Sequence, residues 1–383
     1  MKGLEFFSLD KVAHKTAFNA LRKNSNIHVV DTFEQQLEEL FLARNPKLKM
    51  NPAEAKKQVA NFLAQKKEKP LLEQGKWIYF EWQNTLVHIL DEADFFELRA
   101  ARNQNLITKE EQQKLRVLRV GIAGLSVGNS AALALILEGF ETMRFADFDE
   151  LSLSNLNRIR GSIAQLGLNK TILTARQIYE LNPYAKLKLF EKGLPQKKDL
   201  ERFIAGPPKL DILIDEVDDV IIKIELRKLA KTLRIPVLSV ADNGTNAIAD
   251  IERFDLEPKR KLYHGLLGNI EKQNLDAISF SEKIKLIGKM VGVEYVASRM
   301  KQSVLEVGNT LYSWPQLGGA AMLSGSVVAH LTKKIALGEK IESGKYDINL
   351  DRIFDKNYDS KSKKLKRNKE TKEFLRKQER LSS

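Results

Sequence analysis

Short apolar runs separated by helical stretches dominate the middle of the chain. Leu118–Ala123, Thr142–Ala146, Lys186–Phe190, Leu210–Ile214 and Pro236–Val240 have the length and composition of strands. Between them, Ser130–Glu138, Lys170–Leu181 and Ile221–Leu233 carry apolar residues at helical spacing, the second closed by Asn182-Pro183. Strands alternating with helices predict an α/β fold, a Rossmann-like, doubly wound and mostly parallel sheet. Beyond Arg253 the pattern weakens: Ser281–Leu305 reads as largely helical, Trp314–Gly319 as a breaker-rich crossover, and Ala320–Leu337 as a helix of small residues suited to close packing.

The first 95 residues follow a different rhythm and predict an accessory α/β region. Ile27–Val30 is a short strand, Asp31-Thr-Phe-Glu34 has capping-box spacing, and Phe33, Leu37, Leu40 and Phe41 then fall on one helical face. Trp77–Trp82 and Thr85–Leu90 alternate as a hairpin about Gln83-Asn84. The expected organisation is therefore 1–95 accessory, 96–270 nucleotide-binding, 271–360 a helical and crossover part of the same fold, and 361–383 a flexible basic tail.

Composition adds three limits. No apolar run approaches the roughly 20 residues of a membrane span, and the first residues lack the apolar core of a signal peptide, so a cytoplasmic location is expected. The net charge of +13 points toward nucleic acid, yet between Lys361 and Arg380 ten bases face three acids, which is +7 of it. More than half the excess is thus a tail, which reads as solvated, with an RNA, membrane or partner contact as the alternative. The chain has no cysteine, which excludes disulfides, thiolate–zinc sites and a cysteine nucleophile.

The chemistry gathers at the carboxyl ends of the predicted strands, where open α/β sheets bind ligands. Gly124-Leu-Ser126-Val-Gly128 links the first strand to its helix, a turn whose glycines let the backbone approach phosphate at a helix N-terminus. Asp147 lies 23 positions after Gly124, near the spacing of about 20 expected of an acid that holds a ribose. That spacing suits NAD and ATP equally. Asn155 and Arg158 follow in a polar loop, Lys170 opens the next helix, Asp218 closes the fourth strand and Asp242 the fifth. A guanidinium and an ammonium around one phosphate chain, with a carboxylate free for Mg²⁺, favour displacement at phosphorus over hydride transfer.

Asp147-Phe-Asp149, Ser154-Asn-Leu-Asn-Arg158, Gly167-Leu-Asn-Lys170, Leu181-Asn-Pro183 and Asp215-x-x-Asp218 resemble the E1-like activating enzymes, the ThiF/MoeB/HesA superfamily. The resemblance covers about residues 98–255 and implies ATP-dependent adenylation of a carboxylate. By that resemblance Asp147 holds the ribose, with Asp149 beside it and Gly124, Ser126 and Gly128 forming the nucleotide loop. Asn155, Arg158 and Lys170 clamp the phosphates, and Asp218 binds Mg²⁺. Arg99 or Arg102 stands where relatives send an arginine into a neighbouring subunit's site, which implies a homodimer. The implied substrates are a small ubiquitin-like or sulfur-carrier protein, or a small carboxylate; one branch of the superfamily acts on tRNA. The glycine loop departs from the usual pattern, and without cysteine the chain cannot carry a thioester. The competing expectations are an NAD(P)-dependent oxidoreductase built on the same unit and a non-catalytic scaffold.

Overall fold

The computed structural model describes residues 3–9, 11–273, 275 and 280–381. The chain divides into two compact units, 1–112 and 113–383.

The first unit runs β1 (Leu4–Phe7), α1 (Val12–Lys23), β2 (His28–Asp31), α2 (Phe33–Arg44), α3 (Pro52–Lys66), β3 (Lys76–Phe80), β4 (Thr85–Ile89) and α4 (Glu92–Arg99). Its four strands lie in the order β1-β3-β4-β2, with β2 parallel to β4 and the other pairs antiparallel. The β3–β4 hairpin turns through Asn84, which adopts a left-handed φ of 47° and makes the tight reversal that Gln83-Asn84 predicts. Phe7, Phe18, Trp77 and Leu86 fill one core; Phe33, Leu37, Leu40 and Leu90 fill another. Between them His88 has no exposed surface, its ring stacked on Phe33 and Trp77 at centroid distances of 4.1 and 4.3 Å.

The second unit follows α5 (Lys109–Val117), within which the division falls. It contains β5 (Arg119–Ala123), α6 (Val127–Leu137), β6 (Thr142–Ala146), α7 (Lys170–Leu181), β7 (Lys186–Phe190), α8 (Lys197–Ile204), β8 (Ile212–Asp215), α9 (Val220–Thr232), β9 (Val237–Asn243) and β10 (Asn246–Glu252). Then come α10 (Phe280–Val291), α11 (Ser298–Glu306), α12 (Gly318–Ala336), β11 (Gly344–Ile348), α13 (Leu350–Phe354) and α14 (Lys361–Leu381). The seven strands are ordered β11-β10-β9-β8-β5-β6-β7. Five of them, β9 through β7, are parallel; β10 and β11 add an antiparallel edge. The sheet is the mostly parallel, Rossmann-like one expected, with β5 at the centre of its five parallel strands.

Helix α6 is buried on nearly every side, which its run of alanine, leucine and isoleucine requires. It packs against α12 closely enough that a Cβ on Gly325 would sit 2.6 Å from the backbone of Ser130. Small residues on α12 are thus what brings the two helices together. Of residues 361–383, read above as a flexible basic tail, 361–381 form α14 instead: Phe374 is buried, and from α11 Ser298 donates to Glu370 and Lys301 donates to Thr371 at 2.7 Å. The two last residues of that stretch, 382 and 383, lie outside the described residues. Among the described residues no helix is long and apolar enough to cross a membrane.

Candidate functional site

Gly124 leaves β5 with φ of 86°, and a Cβ there would lie 2.3 Å from the carbonyl oxygen of Glu216. Only glycine fits this turn. The turn brings the amide of Leu125 onto Asp147 Oδ2 at 2.6 Å, while the amide of Asp149 donates to Asp147 Oδ1 at 2.8 Å. Asp147 is thereby fixed at the end of β6, next to the glycine turn. Its burial raises the carboxyl above the usual carboxylate range, against the opposing pull of the Lys170 charge.

Lys170 opens α7 and donates to Asp149 at 2.7 Å, with its own stem buried. Asn169 caps the same helix, accepting from Thr171 N at 2.9 Å. Its amide nitrogen reaches the carbonyls of Asp147 and Glu191 at 3.3 and 3.1 Å. The loop before it forms a short 3-10 turn, Leu153–Asn157, closed by a capping box in which Asn155 accepts from Ser152 N at 3.2 Å. Asn155 therefore shapes the loop that presents Arg158.

Arg158 points back across the glycine turn. Its Nε donates at 3.0 Å to the hydroxyl of Ser126, the residue that precedes α6. One terminal nitrogen reaches Asn157 Oδ1 at 2.9 Å and Ser154 O at 3.4 Å. Burial depresses the guanidinium, and the carboxylates of Asp242 and Asp218 act on it in the opposite sense. A cation is held at the positive end of a helix, where like charges would repel without an anion between them.

Asp218 is exposed just beyond β8. The end of that strand is fixed from below. Asp215 is fully buried against Arg227, and Arg227 Nε also donates to Glu252 at 2.7 Å beneath the ring of Tyr263. Asp219 caps α9 by accepting from Ile222 N at 2.9 Å. Asp218 and Asp219 are both exposed, and Asp219 is committed to the α9 cap, which leaves Asp218 as the outward acid of the Asp215-x-x-Asp218-Asp219 segment not used by that cap.

The predicted residues assemble into two groups on either side of the glycine turn. Asp147, Asp149 and Lys170 form one; Ser126 and Arg158 form the other, within electrostatic reach of Asp218 and Asp242. Gly128 packs its bare Cα against Ile122, where a Cβ would come within 2.8 Å. Its role here is helix-to-strand packing. Arg99 and Arg102 belong to the first unit, at the end of α4 and in the 3-10 turn after it. Sequence reasoning passed over the Leu125 amide, Asn169 as a carbonyl anchor, and Ser324 of α12, which donates to Asp242 Oδ1 at 2.8 Å. Asn169 carried a signal, an N-cap residue just before Lys170; a serine within a helix of small residues carried none.

Among the described residues no group of three or more potential ligands could hold a metal ion by itself. A single outward carboxylate is nevertheless a suitable donor for Mg²⁺, which takes most of its oxygens from phosphate and water. The glycine turn, the exposed helix N-terminus and Asp147 likewise fit a nucleotide.

Residues 99–370 match the ThiF family. The chain is 39% identical over 289 residues to the uncharacterized protein MT1398 of Mycobacterium tuberculosis (strain CDC 1551 / Oshkosh), covering 75% of this chain and 39% of that protein. It is 25% identical over 209 residues to the molybdopterin-synthase adenylyltransferase of Haemophilus influenzae (strain ATCC 51907 / DSM 11121 / KW20 / Rd), covering 52% of this chain and 83% of that one. Among solved structures, the E. coli tRNA N6-threonylcarbamoyladenosine dehydratase superposes with a TM-score of 0.47 at 16% identity, over 64% of this chain and 96% of that one.

Proposed function

Since the chain belongs to the ThiF family of E1-like activating enzymes, we propose that it is an ATP-dependent adenylyltransferase acting on a carboxylate. The observation that carries the reading is Arg158 held by Ser126 at the N-terminus of α6, within electrostatic reach of the acids Asp218 and Asp242. A cation so placed can meet the phosphate chain where it crosses the helix terminus. The name of the Haemophilus relative, an adenylyltransferase, supports the same chemistry.

In this reading a carboxylate oxygen of the substrate attacks the α-phosphorus of ATP, the bond to the bridging oxygen breaks, and pyrophosphate leaves with its electron pair. The product is an acyl-adenylate. Asp147 receives the ribose hydroxyls on its oxygens. The backbone of the glycine turn lies along the phosphates, while Arg158 and Lys170 offset charge that moves onto the departing pyrophosphate. For Lys170 this requires exchanging its bond to Asp149 for one to phosphate. Asp218 is the residue that would hold Mg²⁺, which supplies further neutralisation of the phosphates. No protein nucleophile takes part: orientation and charge stabilisation suffice.

The chain has no cysteine, so the acceptor for the acyl group comes from outside. A small sulfur-carrier or ubiquitin-like protein and a small carboxylate are the candidate substrates. A homodimer in which Arg99 or Arg102 reaches the other subunit's triphosphate completes the proposal.

ATP–pyrophosphate exchange over a panel of carboxylates and carrier proteins tests it. Exchange that depends on Mg²⁺ and disappears in Asp218→Ala is expected. Absence of both exchange and Mg·ATP binding, or a stronger thermal-shift response to NAD(P)H than to Mg·ATP, would sink it.

A further inference from the structure

Asp242 lies near the end of β9, on the same edge of the sheet as Gly124, Asp147 and Asp218. Its position is fixed through its neighbour: Asn243 donates to Tyr295 O at 2.9 Å and accepts from Ala297 N at 2.7 Å. Of its own two oxygens, Oδ1 takes a 2.8 Å bond from Ser324, which has no exposed surface on α12. The other, Oδ2, is buried and has no hydrogen-bond partner.

An orphaned carboxylate oxygen shut away from water is costly, and a functional role is one reason a fold retains one. Burial accordingly holds this carboxyl above the usual carboxylate range, with Ser324 and then Arg158 pulling it down. Arg158 acts on Asp242 through its charge. It engages Ser126, Asn157 and Ser154 through Nε and Nη1, and no hydrogen bond among the described residues engages Nη2. A buried acceptor lacking a donor therefore lies within electrostatic reach of a guanidinium with donors to spare.

Building on the adenylyltransferase reading, we propose that Asp242 is a positioning residue for Arg158. When the triphosphate draws Arg158 onto its outer oxygens, Asp242 Oδ2 accepts a guanidinium N–H and fixes the plane of the fork, while Ser324 keeps the carboxylate from rotating. A planar guanidinium must be oriented to bond phosphate through two nitrogens at once. An anion behind it supplies that orientation without touching the nucleotide.

The inference predicts a sign opposite to that of bulk electrostatics. Removing a negative charge near a polyanionic ligand should tighten its binding. If Asp242 positions Arg158, removing it loosens Mg·ATP instead. The test is calorimetric titration of the full chain with Mg·ATP and with AMP, for wild type, Asp242→Asn and Ser324→Ala. Asp242→Asn is expected to weaken Mg·ATP about tenfold, the scale of one charge-assisted bond, and to leave AMP within about twofold. Ser324→Ala should weaken Mg·ATP in the same direction by less, and gives the answer if Asp242→Asn fails to fold. Mg·ATP binding that is unchanged or tighter in folded Asp242→Asn overturns the proposal. Equal losses of Mg·ATP and AMP also overturn it, because they reveal a general structural role. A wild-type chain that binds no Mg·ATP overturns the adenylyltransferase reading itself, and this inference with it.

Discussion

Glu216 immediately follows β8, and burial pushes its carboxyl up to about 8, although the nearby charge of Lys223 opposes the shift. A carboxyl whose folded value exceeds its unfolded one stabilises the fold most while protonated in both states. That contribution is lost as pH climbs from the ordinary value of 4.5 toward about 8. Lys223, lowered by the same burial, acts with the opposite sign on the alkaline side, below its ordinary 10.5. Thermal melts of the wild type should therefore show a decline between about pH 5 and pH 8 that Glu216→Gln flattens; parallel profiles would refute the assignment. Arg158→Ala removes a cation from the turn, and Mg·ATP affinity measured by titration should fall about tenfold to a hundredfold, with Arg158→Lys recovering little of it. That Asp147, Arg158, Lys170 and Asp218 gather near the glycine turn was legible because their order places them at successive carboxyl ends of the strands and in the loops that follow. The Leu125 amide was not legible, since backbone donors leave no mark on residue identity. Nor was the pairing of Lys170 with Asp149, which depends on how two loops fold over each other.

The elements that carry the site meet at glycines. At Gly124 a methyl group would collide with the Glu216 carbonyl and would also demand a left-handed backbone. Gly124→Ala should lower stability by about 1–3 kcal/mol and weaken nucleotide binding together with it, both readable in one thermal-shift series with and without Mg·ATP. Gly325→Ala tests a separate contact: the added methyl forces α12 away from Ser130, at a cost of about 1–3 kcal/mol from overpacking. A Gly325→Ala melting temperature equal to wild type would show that the helices yield freely. The central strands and the helices between them declared themselves through uniform apolar runs, as strands covered on both faces do. The antiparallel edge was harder to read. β10 is buried along its whole length yet contains Asn246, Asp250 and Glu252, and β11 contains Lys345 and Asp347. Those charges are paired inside the fold, Asp250 with Lys345 and Glu252 with Arg227, so the polar letters that mark a loop in sequence here mark a ladder of ion pairs.

Across the whole molecule, the basic C-terminal stretch changes most between sequence and structure. Its charge suggested a solvated tail, but a buried Phe374 and the bonds of Glu370 and Thr371 to α11 make it a docked helix. Truncating that anchor, Phe374→Ala, removes a buried aromatic whose loss elsewhere costs about 3–5 kcal/mol. Hydrogen exchange should then rise along 361–381 while the central sheet keeps its protection. Uniform exchange across the second unit would instead make α14 part of the global core. The three tryptophans are divided between the units in a useful way. Trp77 is buried against His88 in the first, with Trp82 beside the same hairpin, and Trp314 stands half exposed in the second. Trp314 lies two residues before Gln316, whose carbonyl accepts from Asn157 at 2.7 Å, next to Arg158. The chain thus carries its own optical probes. With Trp77 and Trp82 replaced by phenylalanine, the remaining emission comes from a segment tied to the Arg158 loop, so nucleotide arrival becomes visible as a change in colour or intensity without any added label.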